Sequence, residues 1–326
     1  MLEERKKFTS SKLSVIRENI EKLISENFSD YKDQIAVVTT GSFGRDEASE
    51  ESDLDWYLIA AKECTLLQKG SPESCDVVQK IELALKTIIS KHVTKETGST
   101  GTFGTLINEA SLYQNYGGDK DTNQAFTRRM LYLLESRFLF NEPLYNRIKE
   151  KIVSLYIKED IPDANINRFM LNDIIRYYRT ICTDYEYKVS EEEKDWGLRK
   201  IKLRFSRKLI YFSGLITVAE TCNMTREEKV KETLKLLSLT PIERISFISA
   251  SVASSDTLTS TYCYFLEKIS QKEVREELDD VTRENRFGSE IYRDLKNKSN
   301  LFSQEMELIL NKLYPTSHPI HLGLIF

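Results

Sequence analysis

Two aspartates one residue apart, Asp53 and Asp55, follow a Gly41-Ser42 pair after a ten-residue spacer in the segment VTTGSFGRDEASEESDLDWYLI, residues 38–59. If DLDWYLIAA (53–61) is a strand, its alternate residues share a face. The two carboxylates then project together, about 6–7 Å apart by strand rise, while Leu54 and Trp56 point the other way. Two such carboxylates can share a pair of Mg²⁺ ions, with Mn²⁺ as a substitute. Ions held this way bridge nucleotide phosphates and stabilise an in-line displacement at the α-phosphorus. Gly41 lets the backbone come close to a phosphate, and Ser42 offers an N–H and a hydroxyl. If a short helix starts at Phe43, its N-terminus adds a dipole that favours an anion. Arg45, about one turn on, can reach a phosphate or hold the acidic loop that follows.

The elements that must position these residues are legible as periodicity. Apolar residues at helical spacing (Leu13, Ile16, Ile20, Leu23, Ile24) predict a helix over 2–26. Gln34 to Thr40 is β-branched and apolar and ends at Gly41, a strand running into a turn. Residues 76–91 predict a helix, a short strand is expected near His92 to Thr94, and Gly98, Gly101 and Gly104 suggest a flexible connection. From about residue 121 the pattern becomes helix after helix, at 122–139, 143–157, 164–188, 197–220, 226–237 and 261–283. The expected organisation is an α/β module over 1–120 followed by an all-helical module over 121–326.

Gly-Ser, a spacer, then Asp-x-Asp flanked by apolar strand residues resembles the signature of the DNA polymerase β-like nucleotidyltransferases. GSFGRDEASEESDLDWYLI resembles the version found in uridylyltransferases that act on signal proteins and in related bacterial families. GGDKDTN (117–123), RYYRT (176–180), DYEYK (184–188) and KLRFSRKLIYF (202–212) are similar to segments of poorly characterised bacterial nucleotidyltransferases. The resemblance implies an α+β nucleotidyltransferase domain with a small mixed sheet and a helical domain that closes over the active site. It also implies Mg²⁺, a nucleoside triphosphate donor, and transfer of a nucleoside monophosphate with release of pyrophosphate.

Members of that superfamily usually carry a third acid as metal ligand or general base. The candidates are Asp121, Asp119, Asp76, Glu96 and Glu109, with Asp121 first among them for catalysis although capping of the helix together with Thr122 suits it slightly better. No acid lies within a clear third strand. In the helix at 197–220, six of the ten residues 199–208 are basic, inside a chain of net charge −4. Lys200, Lys202, Arg204 and Lys208 are the candidate triphosphate ligands, with Arg176 and Arg179 extending the patch. The alternative is that these cations form salt bridges with Asp173, Asp184, Glu191 and Glu192. Arg128 and Arg129 lie near Asp121 and suit either phosphate or ion pairs. Tyr177, Tyr178, Tyr185 and Tyr187 suit base stacking or, more simply, packing between helices.

No apolar run reaches the ~20 residues of a membrane span, and the amphipathic, charged N-terminus is no secretory signal. Five scattered cysteines without a CxxC pair read as reduced thiols of a cytoplasmic protein. Three histidines are too few for a His-rich zinc site, and His92 reads as a structural residue, as does Cys182. No P-loop, dinucleotide fingerprint, HExxH or nucleophile-elbow motif is present. The acidity disfavours a long nucleic acid as acceptor and leaves a protein, a small molecule or a nucleotide. Two other expectations compete: a catalytically weak or inactive nucleotide-binding sensor, and an interaction protein whose helices mainly bind partners.

Overall fold

The apolar spacing at the N-terminus becomes helix α1, Leu2–Asn27, which buries Leu13, Ile16, Ile20 and Ile24. The computed structural model describes residues 1–67, 72–95, 103–192, 195–251 and 255–325, with backbone alone at 72–75. They form two compact units, Met1–Leu155 and Tyr156–Phe326. No described helix is long and apolar enough to cross a membrane, and the four described cysteines that can be assessed (Cys64, Cys182, Cys222, Cys263) are free thiols.

In the first unit β1 (Ile35–Thr40) runs into a one-turn helix α2 (Gly41–Gly44), followed by β2 (Asp55–Ala60), α3 (Pro72–His92), β3 (Leu106–Asn108), α4 (Asn123–Glu135), β4 (Arg137–Phe140) and α5 (Glu142–Tyr156). The four strands make one mixed sheet in the order β3-β2-β1-β4. β1 pairs antiparallel with both neighbours, and β3 lies parallel to β2. Leu54, Trp56, Leu58 and Ala60 share one face with Ile35 and Val37 and pack against α1 and against Ile81, Leu85 and Ile89 of α3. Burial of each large apolar side chain there contributes roughly 1.5–3 kcal/mol. The other face is closed as well, with Ala36, Val38, Tyr57 and Ile59 all fully buried.

The division between units falls later than the sequence places it, because β4 completes the sheet of the first unit. A helix was expected through 139, yet Ser136 turns extended (φ −91°, ψ 157°) and stops α4. Residues 137–140 then pair with β1. Asn141, at φ 57°, ends the strand; its amide donates to Lys32 O at 3.1 Å and Ile35 O at 2.9 Å. The strand expected near His92–Thr94 is absent: His92 ends α3, and Lys95 makes only an isolated bridge to Asp53. Gly98 and Gly101 lie outside the described residues.

The second unit holds α6 (Arg168–Ser190), α7 (Gly197–Lys202), a π-helical turn (Leu203–Arg207), α8 (Lys208–Glu220), α9 (Arg226–Ser238), α10 (Pro241–Ser249), α11 (Asp256–Ile269), α12 (Lys272–Asp279), α13 (Glu290–Leu313) and α14 (Pro319–Gly323). The helix expected at 261–283 is two helices, broken where Gln271 is extended (φ −85°, ψ 126°). Phe205 stacks on Phe265 at 4.5 Å and meets Phe302 at 5.2 Å in its core. Thr225/Glu228 and Thr240/Glu243 form capping boxes at the starts of α9 and α10. The buried Lys229 ammonium donates to Asp163 O at 2.5 Å, to Cys222 O at 2.8 Å and to Met224 O, so three carbonyls answer one cation. Lys229→Met leaves those carbonyls without a donor and is expected to lower the unfolding free energy by about 2 kcal/mol, read from urea denaturation at neutral pH.

Candidate active site

β2 opens at Asp55, and Asp53 lies two residues before it at an isolated bridge to Lys95. Leu54 and Trp56 are buried against α1 and α3, and Asp53 and Asp55 fall on the opposite face, exposed and half-buried respectively. Asp55 sits directly across from Thr40 in the β1–β2 register, so the two side chains share that face. Thr39 Oγ1 donates to Asp55 O at 2.8 Å and fixes the start of β2.

Gly41 takes φ +69°, a conformation L side chains rarely adopt, and a Cβ placed there would lie 3.4 Å from Asp55 Oδ2. Glycine is therefore favoured by the bend itself, and a side chain there would sit in contact with the Asp55 carboxylate. The half-buried Ser42 hydroxyl has no hydrogen-bond partner among the described residues. Thr40, which sequence reasoning passed over, is almost fully buried, and its hydroxyl also lacks a partner. Two hydroxyls without partners thus flank Gly41 next to Asp55. The signal was present as a threonine ending the strand before Gly41, but it acquires meaning only through its pairing with Asp55.

These residues fit a divalent cation of the Mg²⁺ type. Among the described residues no group of three or more His, Cys, Asp or Glu gathers as a metal cage. Mg²⁺ is commonly held by one or two carboxylates together with substrate phosphates and water, which is the arrangement two acids would support.

The loop behind the turn is locked by charge. Arg45 is buried; its Nε donates to Glu47 Oε2 at 2.7 Å and its Nη1 to Glu135 Oε2. Of the two roles its position allows, the structure places it in the second, holding the acidic loop, and turned from the phosphate role. Asp46, at φ 61°, pairs with Arg137 at 2.5 Å, and Arg5 Nη1 donates to Ala48 O at 3.2 Å. A Cβ on Gly44 would lie 1.9 Å from Glu135 O, so α2 abuts the end of α4 backbone to backbone.

The favoured third acid is placed elsewhere. Asp121 is buried and accepts from Arg129 Nη1 at 3.1 Å, Arg129 Nη2 at 2.8 Å and Gly117 N at 3.0 Å. It braces the turn before α4 and does not join Asp53 and Asp55 in any cluster of acids. The helix cap is Thr122, whose hydroxyl accepts from Ala125 N at 3.2 Å. Glu109 is buried on Tyr113 and Arg147, each at 2.8 Å. Asp76 pairs with Lys80 on α3, Asp119 is exposed, and Glu96 lies outside the described residues. The segment leading into β3 brings an aromatic ring instead: Phe103 stacks on Tyr57 at 5.7 Å, and Tyr57 shares the face of Asp55. Arg128 is half-buried near that phenol; burial lowers its pKa and Tyr57 partly restores it.

In the helical unit three of the four candidate cations form one stripe. Lys200 lies 4.7 Å over the Tyr185 ring, Arg204 Nη1 donates to Ser299 Oγ at 3.3 Å, and Lys208 Nζ donates to Ser303 Oγ at 2.6 Å. Lys202 faces away, toward Asp279, whose carboxyl is pushed up by burial and by Asp195 and pulled back by Lys202 first among its cations. Arg176 and Arg179 line an open groove of about 420 Å³ along α6 with Asn172, Ile175, Thr180 and Thr183. Tyr177 and Tyr185 are buried, Tyr178 stacks on Tyr211 at 4.9 Å, and Tyr187 is exposed. Burial raises the Cys182 thiol, and His92 Nε2 meets Asn19 Nδ2 at 3.2 Å at the end of α3.

No family model matches the chain, and no curated protein matches it either.

Arg45→Met strands Glu47 and Glu135 in the interior without their shared cation. It is expected to lower stability by about 3 kcal/mol. Urea midpoints measure this, and a loss below about 1 kcal/mol would show that the loop is anchored by other contacts.

Proposed function

We propose that the protein is a divalent-metal-dependent nucleotidyltransferase. It moves a nucleoside monophosphate from a nucleoside triphosphate to a hydroxyl of a protein, small molecule or nucleotide. The acceptor oxygen bonds to the α-phosphorus, the bond from that phosphorus to the pyrophosphate oxygen breaks, and the hydroxyl proton leaves to water. The observation that carries this reading is Asp55 at the start of β2, across from Thr40 and beside the bend at Gly41, with Asp53 two residues before it and the hydroxyls of Thr40 and Ser42 without partners among the described residues. In it Asp53 and Asp55 hold the cations, Gly41 admits the phosphates to the backbone, and Thr40 and Ser42 donate to phosphate oxygens. Bound ions would neutralise charge on the phosphates as the leaving group departs. The sequence resemblance supports the same reading.

A second reading is a nucleotide-binding sensor with little or no turnover. The observation that favours it is the engagement of Asp121 with Arg129, together with the aromatic ring of Phe103 beside Asp55's face. Such a protein would bind a triphosphate in Mg²⁺ and release no pyrophosphate.

The test uses purified full-length protein, Mg²⁺ or Mn²⁺, each labelled nucleoside triphosphate and a panel of acceptors, with pyrophosphate release as readout. Asp53→Ala and Asp55→Ala should each reduce the rate by about three orders of magnitude, ~4 kcal/mol of transition-state stabilisation, with unchanged circular dichroism. Equal rates in wild type and both variants would refute the transferase; metal-dependent binding without pyrophosphate release would establish the sensor.

A further inference from the structure

Several buried cations of this chain are answered by carboxylate or backbone oxygens, and the half-buried stripe on α7–α8 differs from them. Arg45 and Arg129 meet carboxylates, and Lys229 meets three carbonyls. Arg204 and Lys208 meet neither. Their partners are the hydroxyls of Ser299 and Ser303 on α13, and neither pairs with a carboxylate among the described residues. Those hydroxyls already donate to Lys296 O at 2.7 Å and Ser299 O at 2.8 Å, so they act only as acceptors toward the two cations. Arg204 Nε is buried with no hydrogen-bond partner among the described residues. Lys200, a turn earlier, has its acid, Glu186, at 3.7 Å with that carboxylate half exposed.

The backbone makes the convergence possible. In an α-helix the fourth residue overshoots a full turn, whereas in the π-helical turn at Leu203–Arg207 it falls short. The two offsets compensate, and Lys200, Arg204 and Lys208 stay on one stripe between α6 and α13. Like charges one turn apart repel. Burial lowers the pKa of Lys208, and Arg204 lowers it further.

We propose that Arg204 and Lys208, assisted by Lys200, bind a phosphate or diphosphate group of a small-molecule ligand in the helical unit. The anion supplies the charge that the protein omits, accepts from the Arg204 Nε that lacks a partner, and bridges two donors one helical turn apart. Tyr178 and Tyr211, stacked beside the stripe, wall the same side of α6 and α8. The site needs neither Asp53 nor Asp55, so it stands whether or not the transferase reading does.

Calorimetry with inorganic pyrophosphate, on the full chain in the presence of EDTA, tests it. Wild type and the Asp53→Ala/Asp55→Ala double variant should bind alike. Arg204→Met and Lys208→Met should each weaken binding by about tenfold or more. Ser303→Glu places the missing carboxylate beside Lys208; it should abolish binding while keeping or raising the melting temperature, which guards against simple misfolding. A metal-free titration with ATP identifies the source of the phosphate. A parallel loss in the three helix variants marks the tail of a nucleoside triphosphate, and nucleotide binding that persists while pyrophosphate binding is lost marks a separate phosphorylated ligand. Absence of pyrophosphate binding in wild type, or undiminished binding in folded Ser303→Glu, overturns the proposal. Pyrophosphate release that fails while this binding persists counts against the transferase alone.

Discussion

The register of β1 against β2 is the constraint on which the candidate site depends. Thr40 opposite Asp55 sets that carboxylate beside the bend at Gly41, which the hydroxyl-bearing Thr40 and Ser42 flank. Because side chains alternate along a strand, a slip by one residue would turn Asp53 and Asp55 into the layer filled by α1 and α3 and send Trp56 and Leu58 to the other side. The apolar core therefore enforces the polar geometry: the energy that buries Leu54, Trp56, Leu58 and Ala60 also fixes which way the carboxylates face. The facing of the carboxylates and the stability of the sheet are two outcomes of one pattern.

Behind this lies a layer of charge that serves position. Arg45, Glu47 and Glu135 join the loop after α2 to the end of α4, and Asp46 with Arg137 ties it to β4. Such buried pairs add little net stability over well-packed apolar groups, but removing one member is costly. Their value here is rigidity in a segment that has Gly41 and Gly44 and would otherwise sample many conformations. Asp121 and Arg129 do the same at the turn before α4. An acid near the start of a helix is therefore a poor guide to catalysis until its cation is known.

How much was legible follows from where each signal is written. α1, β1, β2 and α3 carry their period in contiguous residues, and the Asp-x-Asp face could be read without coordinates. β4 could not: RFLF follows a helical run with no glycine or proline to mark the break, and it becomes a strand because β1 offers it a partner. β3 is three residues long and exists through its pairing with β2. Thr40 matters only by cross-strand contact, and the separation of Lys202 from Lys200, Arg204 and Lys208 arises from a π-helical turn that composition does not announce. The basic cluster was visible, whereas the lack of a carboxylate beside Arg204 and Lys208 among the described residues is a fact of three dimensions.

β4 ends the sheet on one side, and an edge strand exposes backbone groups to which a stray chain can add. Arg17 reaches from α1 to donate from Nε and Nη2 to Phe138 O, at 3.2 and 3.0 Å, with its guanidinium 4.3 Å over the Phe138 ring. A single long cation thereby occupies one carbonyl at the rim of the sheet, leaving one acceptor fewer for the backbone of a neighbouring strand.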